Sequence, residues 1–135
     1  MPTESDDELR AVFEYDSIAV VGCSSTPGKA AHDVPAYLDE QGYHVIPVNP
    51  FADSILGHDT YDSIEAVEEG IDVVEVFRPS EEVPGIVDDV LDRDDVDVVW
   101  LQEGITHDEA GRDVEQSGRT FVQDHCMKVE HQRLV

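Results

Sequence analysis

The stretch VVGCSSTPGKAAH, residues 20–32, holds the turn on which the fold reading depends. An apolar run stops at Gly22, and three hydroxyl residues, Pro27, Gly28 and Lys29 follow it. Glycine at the exit of a buried strand permits a sharp turn. A helix starting just beyond aims its free N–H groups into the space ahead of the strand. Small hydroxyl side chains let a ligand come close to the backbone, and Lys29 adds a full positive charge. Together these are the parts of a phosphate cradle. Lys29 is one of two lysines in a chain of formal net charge −24, so its place in this loop points to an anionic ligand. A plain strand-to-helix turn needs the glycine and proline but not the lysine.

Working outward, apolar runs rich in Val and Ile recur at Ile18–Val21, His44–Val48, Val73–Phe77, Val96–Leu101 and Thr120–Val122. Most are continuous, as in strands covered on both faces. Helical patterns fill the gaps. Asp33 is placed to cap a helix carrying Val34, Tyr37 and Leu38 and stopped by Gly42. Ser80 caps another, with Val83, Ile86, Val87, Val90 and Leu91 on one face and Pro84 early enough to be tolerated. Thr106 with Glu109 forms a capping box before Ala110 and Val114, with Gly118 as the stop. Asp62 with Glu65, and Ser5 with Glu8, repeat that spacing. Strand and helix in alternation predict an α/β fold, a three-layer doubly wound parallel sheet. Residues 1–14 read as a helical extension leaning on the outside, residues 15–135 as one domain, and residues 124–135 as its closing segment.

The bulk numbers agree with one globular unit. A length of 135 residues and 40% hydrophobic content are enough for a core. No apolar run approaches a membrane span and no leader pattern is present, so a soluble cytoplasmic protein is expected. Two cysteines make no disulfide framework, in keeping with a reducing compartment. With 32 acidic against 8 basic residues, the surface repels nucleic acid. Such a surface suits a salty cytoplasm, because the Debye length falls to about 3 Å at molar salt.

Two familiar cradles fail on detail. Five residues separate Gly22 from Gly28, and Ala30 stands where a Walker A loop carries its magnesium-binding hydroxyl. Nucleotide hydrolysis is therefore disfavoured. Ser24 occupies the second glycine of the dinucleotide fingerprint, and the second strand ends Pro47-Val48-Asn49-Pro50 without the ribose-binding acid. NAD is disfavoured too.

The segments IAVVGCSSTPGKAAHDVPAYL, GYHVIPVNP, ILGHDTYDSIEAV, DVVEVFRPSEEVPGIVDDVL, VVWLQEGI and DHCMKVEH occur in that order between about residues 17 and 131. In this the chain resembles the small stand-alone CoA-binding domains, related to the CoA-binding half of the succinyl-CoA synthetase alpha subunit. The resemblance implies a Rossmann-like sheet with Ile55–Gly57 as an edge strand, and with Val73–Phe77 beside Ile18–Val21 on the side away from His44–Val48. It implies coenzyme A as the ligand. Gly22 turns the loop, and Ser24, Ser25, Thr26, Gly28 and Lys29 would hold the phosphates. Asn49 and Pro50 would border the adenosine, Val76, Phe77 and Arg78 would flank the adenine, and Gln102 and Gly104 would face the pantetheine arm. Arg78 is chemically apt for stacking and for bidentate phosphate contact, and is equally placed to pair with Glu81 or Glu82.

The synthetase's phosphohistidine lies in a domain that has no counterpart here, and no histidine takes that role by sequence. The expected function is therefore binding of CoA or acyl-CoA without catalytic residues, as a sensor or regulator. Two alternatives stand beside it. One is an oxidoreductase or acyl transferase using a nucleotide cofactor in the same crevice, with Cys23 as its reactive group. The other is a ligand-free interaction domain acting through a homodimer or protein partner. Cys23 and Cys126 read as structural, and His125, Cys126 and His131 lack further ligands for zinc, so no metal is expected. Lys128 either approaches the site, pairs with Glu130 or meets a helix C-terminus. Trp100 and Phe121 read as core.

Overall fold

The computed structural model describes residues 2–135. Five parallel strands, β1 (Ser17–Val21), β2 (His44–Val48), β5 (Val73–Val76), β6 (Val98–Leu101) and β7 (Thr120–Val122), lie in the order β2-β1-β5-β6-β7. Residues of β1, β5 and β6 are buried throughout, which is why they read as continuous apolar runs. Alternate residues feed two cores. Ala19, Val21, Val74, Val76, Val99 and Leu101 pack with helices α3 (Val83–Leu91) and α4 (Asp108–Gln116). Ile18, Val20, Val73, Val98 and Trp100 pack with α1 (Asp6–Val12), α2 (Ala30–Glu40) and α5 (Met127–Leu134). The result is the three-layer α/β fold expected from the sequence, with β5 beside β1 and away from β2.

Helix α1 begins as read: the Ser5 side chain accepts the Glu8 N–H. It does not merely lean on the outside. Leu9, Val12 and Phe13 are buried in the second core, and the Phe13 ring tilts against Trp100. The edge of His131 meets Phe13, Tyr37 and Tyr43, and the Tyr37 hydroxyl lies 2.6 Å from its Nδ1. Burial lowers the His131 pKa.

Five local expectations are corrected. Residues 62–67 form turns, not a helix, although Ile64 and Val67 are buried. The reason is Arg93, whose guanidinium donates to the carbonyls of Ile64, Val67 and Glu69 while clasping the Asp95 carboxylate. Single i to i+3 bonds, from Ala66 N–H to Ser63 O and from Val67 N–H to Ile64 O, close the turns without extending into a helical ladder. Ile55–Gly57 is no edge strand. A separate antiparallel hairpin, β3 (Ser54–Ile55) and β4 (His58–Asp59), turns through Leu56 and Gly57 at positive φ. Helix α2 starts at Ala30, three residues before Asp33, whose carboxylate instead accepts the Gly28 N–H at 3.1 Å. Finally, His107 and not Thr106 caps α4, through Nδ1 and the Ala110 N–H. Ser80 likewise opens a single 3₁₀ turn ahead of α3, and its hydroxyl accepts the Thr106 N–H.

Glu75 stands at the centre of β5, in register with Val20 and Trp100. It is fully buried, and both carboxylate oxygens are without a hydrogen-bond partner among the described residues, as is Oε1 of the buried Gln102. Burial pushes the Glu75 carboxyl from its ordinary 4.5 up to about 8, so at neutral pH it is held as the acid.

Two predictions follow from this packing. A Cβ on Gly111 would overlap the fully buried Phe121 ring, so Gly111→Ala is expected to cost about 1–3 kcal/mol in urea unfolding. An unchanged midpoint would show that α4 stands off the sheet. For Glu75, the folded chain keeps a proton that the unfolded chain has lost. Its contribution is fully present below about pH 4.5 and is lost as pH rises through about 8. Melting of wild type and Glu75→Gln from pH 6 to 9 is expected to show a falling Tm in the former and a flatter one in the latter. Parallel curves would contradict a buried, titrating Glu75.

Candidate functional site

The strand order reverses at β1, whose neighbours β2 and β5 arrive from opposite directions of the winding. Crevices in such sheets open at the carboxyl ends of the strands bordering that point. Here a crevice of about 700 Å³ opens beyond β1, β2 and β5, within the size range of small-molecule sites.

Its floor is set by Gly22, at φ +84°. The Gly22 N–H donates to Val48 O at the end of β2, and the Phe77 N–H donates to Val21 O. A Cβ at Gly22 would lie 2.8 Å from Arg78 Cδ. Glycine is thus required both by the turn and by the close passage of Arg78. The loop then closes on itself: the Ser24 N–H donates to Ala31 O, and the Thr26 N–H donates to Ser24 Oγ. The Gly28 N–H is taken by Asp33, whose carboxyl is held below its usual range first by that bond and then by His32. The N–H groups of Ser25 and Ala31, both in the crevice wall, have no acceptor among the described residues. Lys29 occupies the cap position of α2 without a side-chain capping bond, and it makes no ion pair among those residues.

Of the residues singled out in the sequence, Gly22, Ser24, Ser25, Lys29, Asn49, Pro50, Phe77 and Arg78 line the crevice. Thr26 and Gly28 belong to the same loop without facing the cavity. Val76 is fully buried in the core under α3 and α4, so its side chain is turned away from the crevice. Gln102 is buried beyond β6, and the Gly104 N–H is tied to Asp124 Oδ1; neither lines the cavity. Arg78 does pair with Glu82, bidentately, at 3.2 and 2.7 Å. Lys128 lies over the Tyr37 ring, outside the crevice lining.

The sequence reading missed the far wall. Asp62, Ser63, Ile64, Ile86 and Asp89 face the cavity, brought there by the Arg93-held turn and by α3. It also missed Phe51, which follows Asn49-Pro50 and stands in the wall 95% exposed. An aromatic directly after a loop asparagine and proline, outside any period, is the signal that could have found it.

Asn49 clasps two loops together. Its Nδ2 donates to Cys23 O at 2.9 Å, and its Oδ1 accepts the Phe51 N–H at 2.7 Å. Cys23 itself is buried, and its thiol is pushed up to about 12, by burial first and then by the Glu75 charge. Among the described residues, no histidine lines the crevice. The wall can therefore offer a cation, hydroxyls and free N–H groups to an anion, but its thiol stays protonated. A smaller recess, of about 170 Å³, lies between β2 and β4. There His44 and His58 face Glu69 and Asp39 at 2.5 and 3.0 Å. Among the described residues, no group of three or more His, Cys, Asp or Glu is arranged to hold a metal, and no helix is long and apolar enough to cross a membrane.

Comparison with known proteins gives this geometry a context. Over 132 residues the chain is 37% identical to the uncharacterized protein YneT of Bacillus subtilis, covering 97% of each. The structure of cell-free ID.343 from Thermus thermophilus superposes with a TM-score of 0.91 at 39% identity, covering 98% of this chain and all of that one. Larger proteins contain the same unit. The chain is 27% identical over 125 residues to the ADP-forming acetate–CoA ligase II of Archaeoglobus fulgidus, matching 90% of this chain and 19% of the ligase. It likewise superposes on the dinucleotide-forming acetyl-coenzyme A synthetase 1 of Ca. Korarchaeum cryptofilum, with a TM-score of 0.71 at 25% identity over 89% of this chain and 28% of the synthetase. A family model described as the CoA binding domain matches residues 16–132, nearly the whole length, and the chain belongs to that family.

Proposed function

We propose that the chain binds CoA or an acyl-CoA in the crevice beyond β1 and carries out no covalent step on it. One observation carries the reading. In a chain of net charge −24, Lys29 is left without a carboxylate partner among the described residues, in the wall of a crevice, beside N–H groups that lack acceptors. Lys29 is exposed at the start of α2, where the positive end of the helix dipole disfavours a cation, and an anion set between them relieves that repulsion. The ligand implied by the family carries a diphosphate and a further phosphate, and the cavity volume fits a molecule of that class.

In this reading Ser24, Ser25, Thr26, Gly28 and Lys29 form the phosphate loop, with the Ser25 and Ala31 N–H groups as donors. Asn49 and Pro50 border the adenosine. Phe77 and Arg78 flank it from the end of β5, where Glu82 fixes the plane of the guanidinium. Val76 supports Phe77 and Arg78 from within the core. Gln102 and Gly104 lie next along the sheet, where a pantetheine arm leaving the crevice would pass. Binding without chemistry is supported by the thiol of Cys23, which its burial keeps protonated. Such a module acts through what it docks to, as a sensor or regulatory partner, alone or as a homodimer. The acidic surface suits a salty cytoplasm.

Titration calorimetry with CoA in molar KCl, with NAD and ATP as controls, tests this. Heat is expected for CoA, and Lys29→Ala is expected to weaken it roughly ten- to a hundredfold, as for loss of one charge-assisted contact. Silence for CoA, or equal binding by the variant, would overturn the reading. The salt dependence has an unusual expected sign. Anion sites on basic proteins weaken with salt, but here the ligand approaches a surface of the same charge. Raising KCl from 0.1 to 1 M shortens the Debye length from about 10 to about 3 Å, so CoA affinity is expected to rise. A fall would mean that Lys29 and Arg78 outweigh the field of the whole chain.

A further inference from the structure

Phe51 is the most exposed large apolar side chain of the described residues, at 95%, whereas Phe13 and Phe121 are buried and Phe77 is packed against the second core. A whole phenyl ring left in water forgoes the stabilisation that burial would give it. Its backbone is nonetheless firmly held. The Asn49 side chain accepts the Phe51 N–H and reaches back to Cys23 O, and the Thr60 hydroxyl and N–H donate to the carbonyls of Ala52 and Asp53 just beyond. The ring is thus presented to solvent from a fixed stage, in the wall of the crevice. Tyr15, Val129 and Val135, the other exposed large apolar residues, are not part of that wall.

The chemistry of the wall selects what can cover such a ring. Lys29 and the loop N–H groups address phosphates, and the acidic residues Asp62, Glu82 and Asp89 discourage an anion from spreading toward the far side. A planar, uncharged heterocycle joined to the phosphates meets both demands, because aromatic faces attract one another without charge. In CoA the adenine is the only such group, whereas the pantetheine arm is flexible and offers no ring. Building on the CoA reading above, we propose that Phe51 is the stacking platform for the purine ring of the ligand. The crevice thereby distinguishes the nucleotide-bearing carrier from its phosphopantetheine portion alone.

The test uses the full chain in molar KCl, as wild type, Phe51→Ala and Phe51→Tyr, titrated with CoA, adenosine 3′,5′-bisphosphate and 4′-phosphopantetheine. Because Phe51 is exposed, the three proteins are expected to melt alike. Phe51→Ala is expected to weaken CoA and the bisphosphate by about tenfold, the scale of one base–aromatic stack, and to leave phosphopantetheine unchanged. Phe51→Tyr is expected to restore both. In proton spectra the adenine H2 and H8 of bound CoA move upfield with wild type and with Phe51→Tyr, but not with Phe51→Ala. Equal binding of CoA by wild type and Phe51→Ala would overturn the assignment of Phe51 while leaving the CoA reading intact. So would a loss shared equally by all three ligands, which marks a distorted crevice, or a loss of self-association in Phe51→Ala with ligand binding unchanged. Absence of binding by wild type for all three ligands would overturn the CoA reading itself.

Discussion

The bare backbone at Gly22 is the constraint around which the site is assembled. It passes between the ends of two strands that lie on either side of β1, donating to Val48 O at the end of β2 while Arg78 crosses it from the end of β5. Any side chain there would strike Arg78 and would also need a left-handed conformation that non-glycine residues resist. With the strand ends so close, the loop after β1 climbs out of the sheet and folds over residues 22–29 before α2 starts at Ala30. That start exposes N–H groups to the crevice and sets Lys29 at its lip. The cradle follows from a steric fact about three strand ends, and the proposed anion binding rests on the cradle.

The cations of this acidic chain are divided between two tasks. Arg93 and Arg119 donate to main-chain carbonyls and pin loops at the amino ends of β5, β6 and β7. Arg133 ties α5 to α1 through Asp6, with Glu130 on its other side, and Arg78 is orientated by Glu82. Lys29, Arg112 and Lys128 make no ion pair among the described residues, and of these only Lys29 lines the crevice. With 32 carboxylates to 8 cations, a lysine that stands unpaired beside a cavity is free to meet an anion there, as proposed above. The buried acid Glu75 and the buried base His131 show the reverse: desolvation disfavours the charged form of each, on the side of the sheet away from α3 and α4.

Much of this was legible from residue order. Continuous Val and Ile runs announced a sheet covered on both faces, and Gly22 with the hydroxyl-rich loop announced the crevice. What was not legible depended on partners distant in sequence. The turn at residues 62–67 has a helical capping pattern, yet a guanidinium 29 residues after Ile64 takes its carbonyl. Asp33 carries a cap signal, but the preceding alanines extend α2 and turn its carboxylate back onto Gly28. Val76 alternates with its neighbours across the sheet, so it cannot share a face with Phe77, a point that strand periodicity alone contained. The far wall, with Asp62, Ile64, Ile86 and Asp89, exists only once Arg93 and α3 have placed it. Phe51 left no periodic trace because nothing in the fold packs on it.

The most direct test of the account is an amide-resolved NMR titration of the intact protein with CoA in molar KCl. The account predicts that perturbed amides cluster in three loops, at residues 22–31, at Asn49 and Phe51, and at Phe77 and Arg78, with Ser25 and Ala31 among the largest. Perturbations confined to the recess around His44 and His58, or none at saturating ligand, would contradict it.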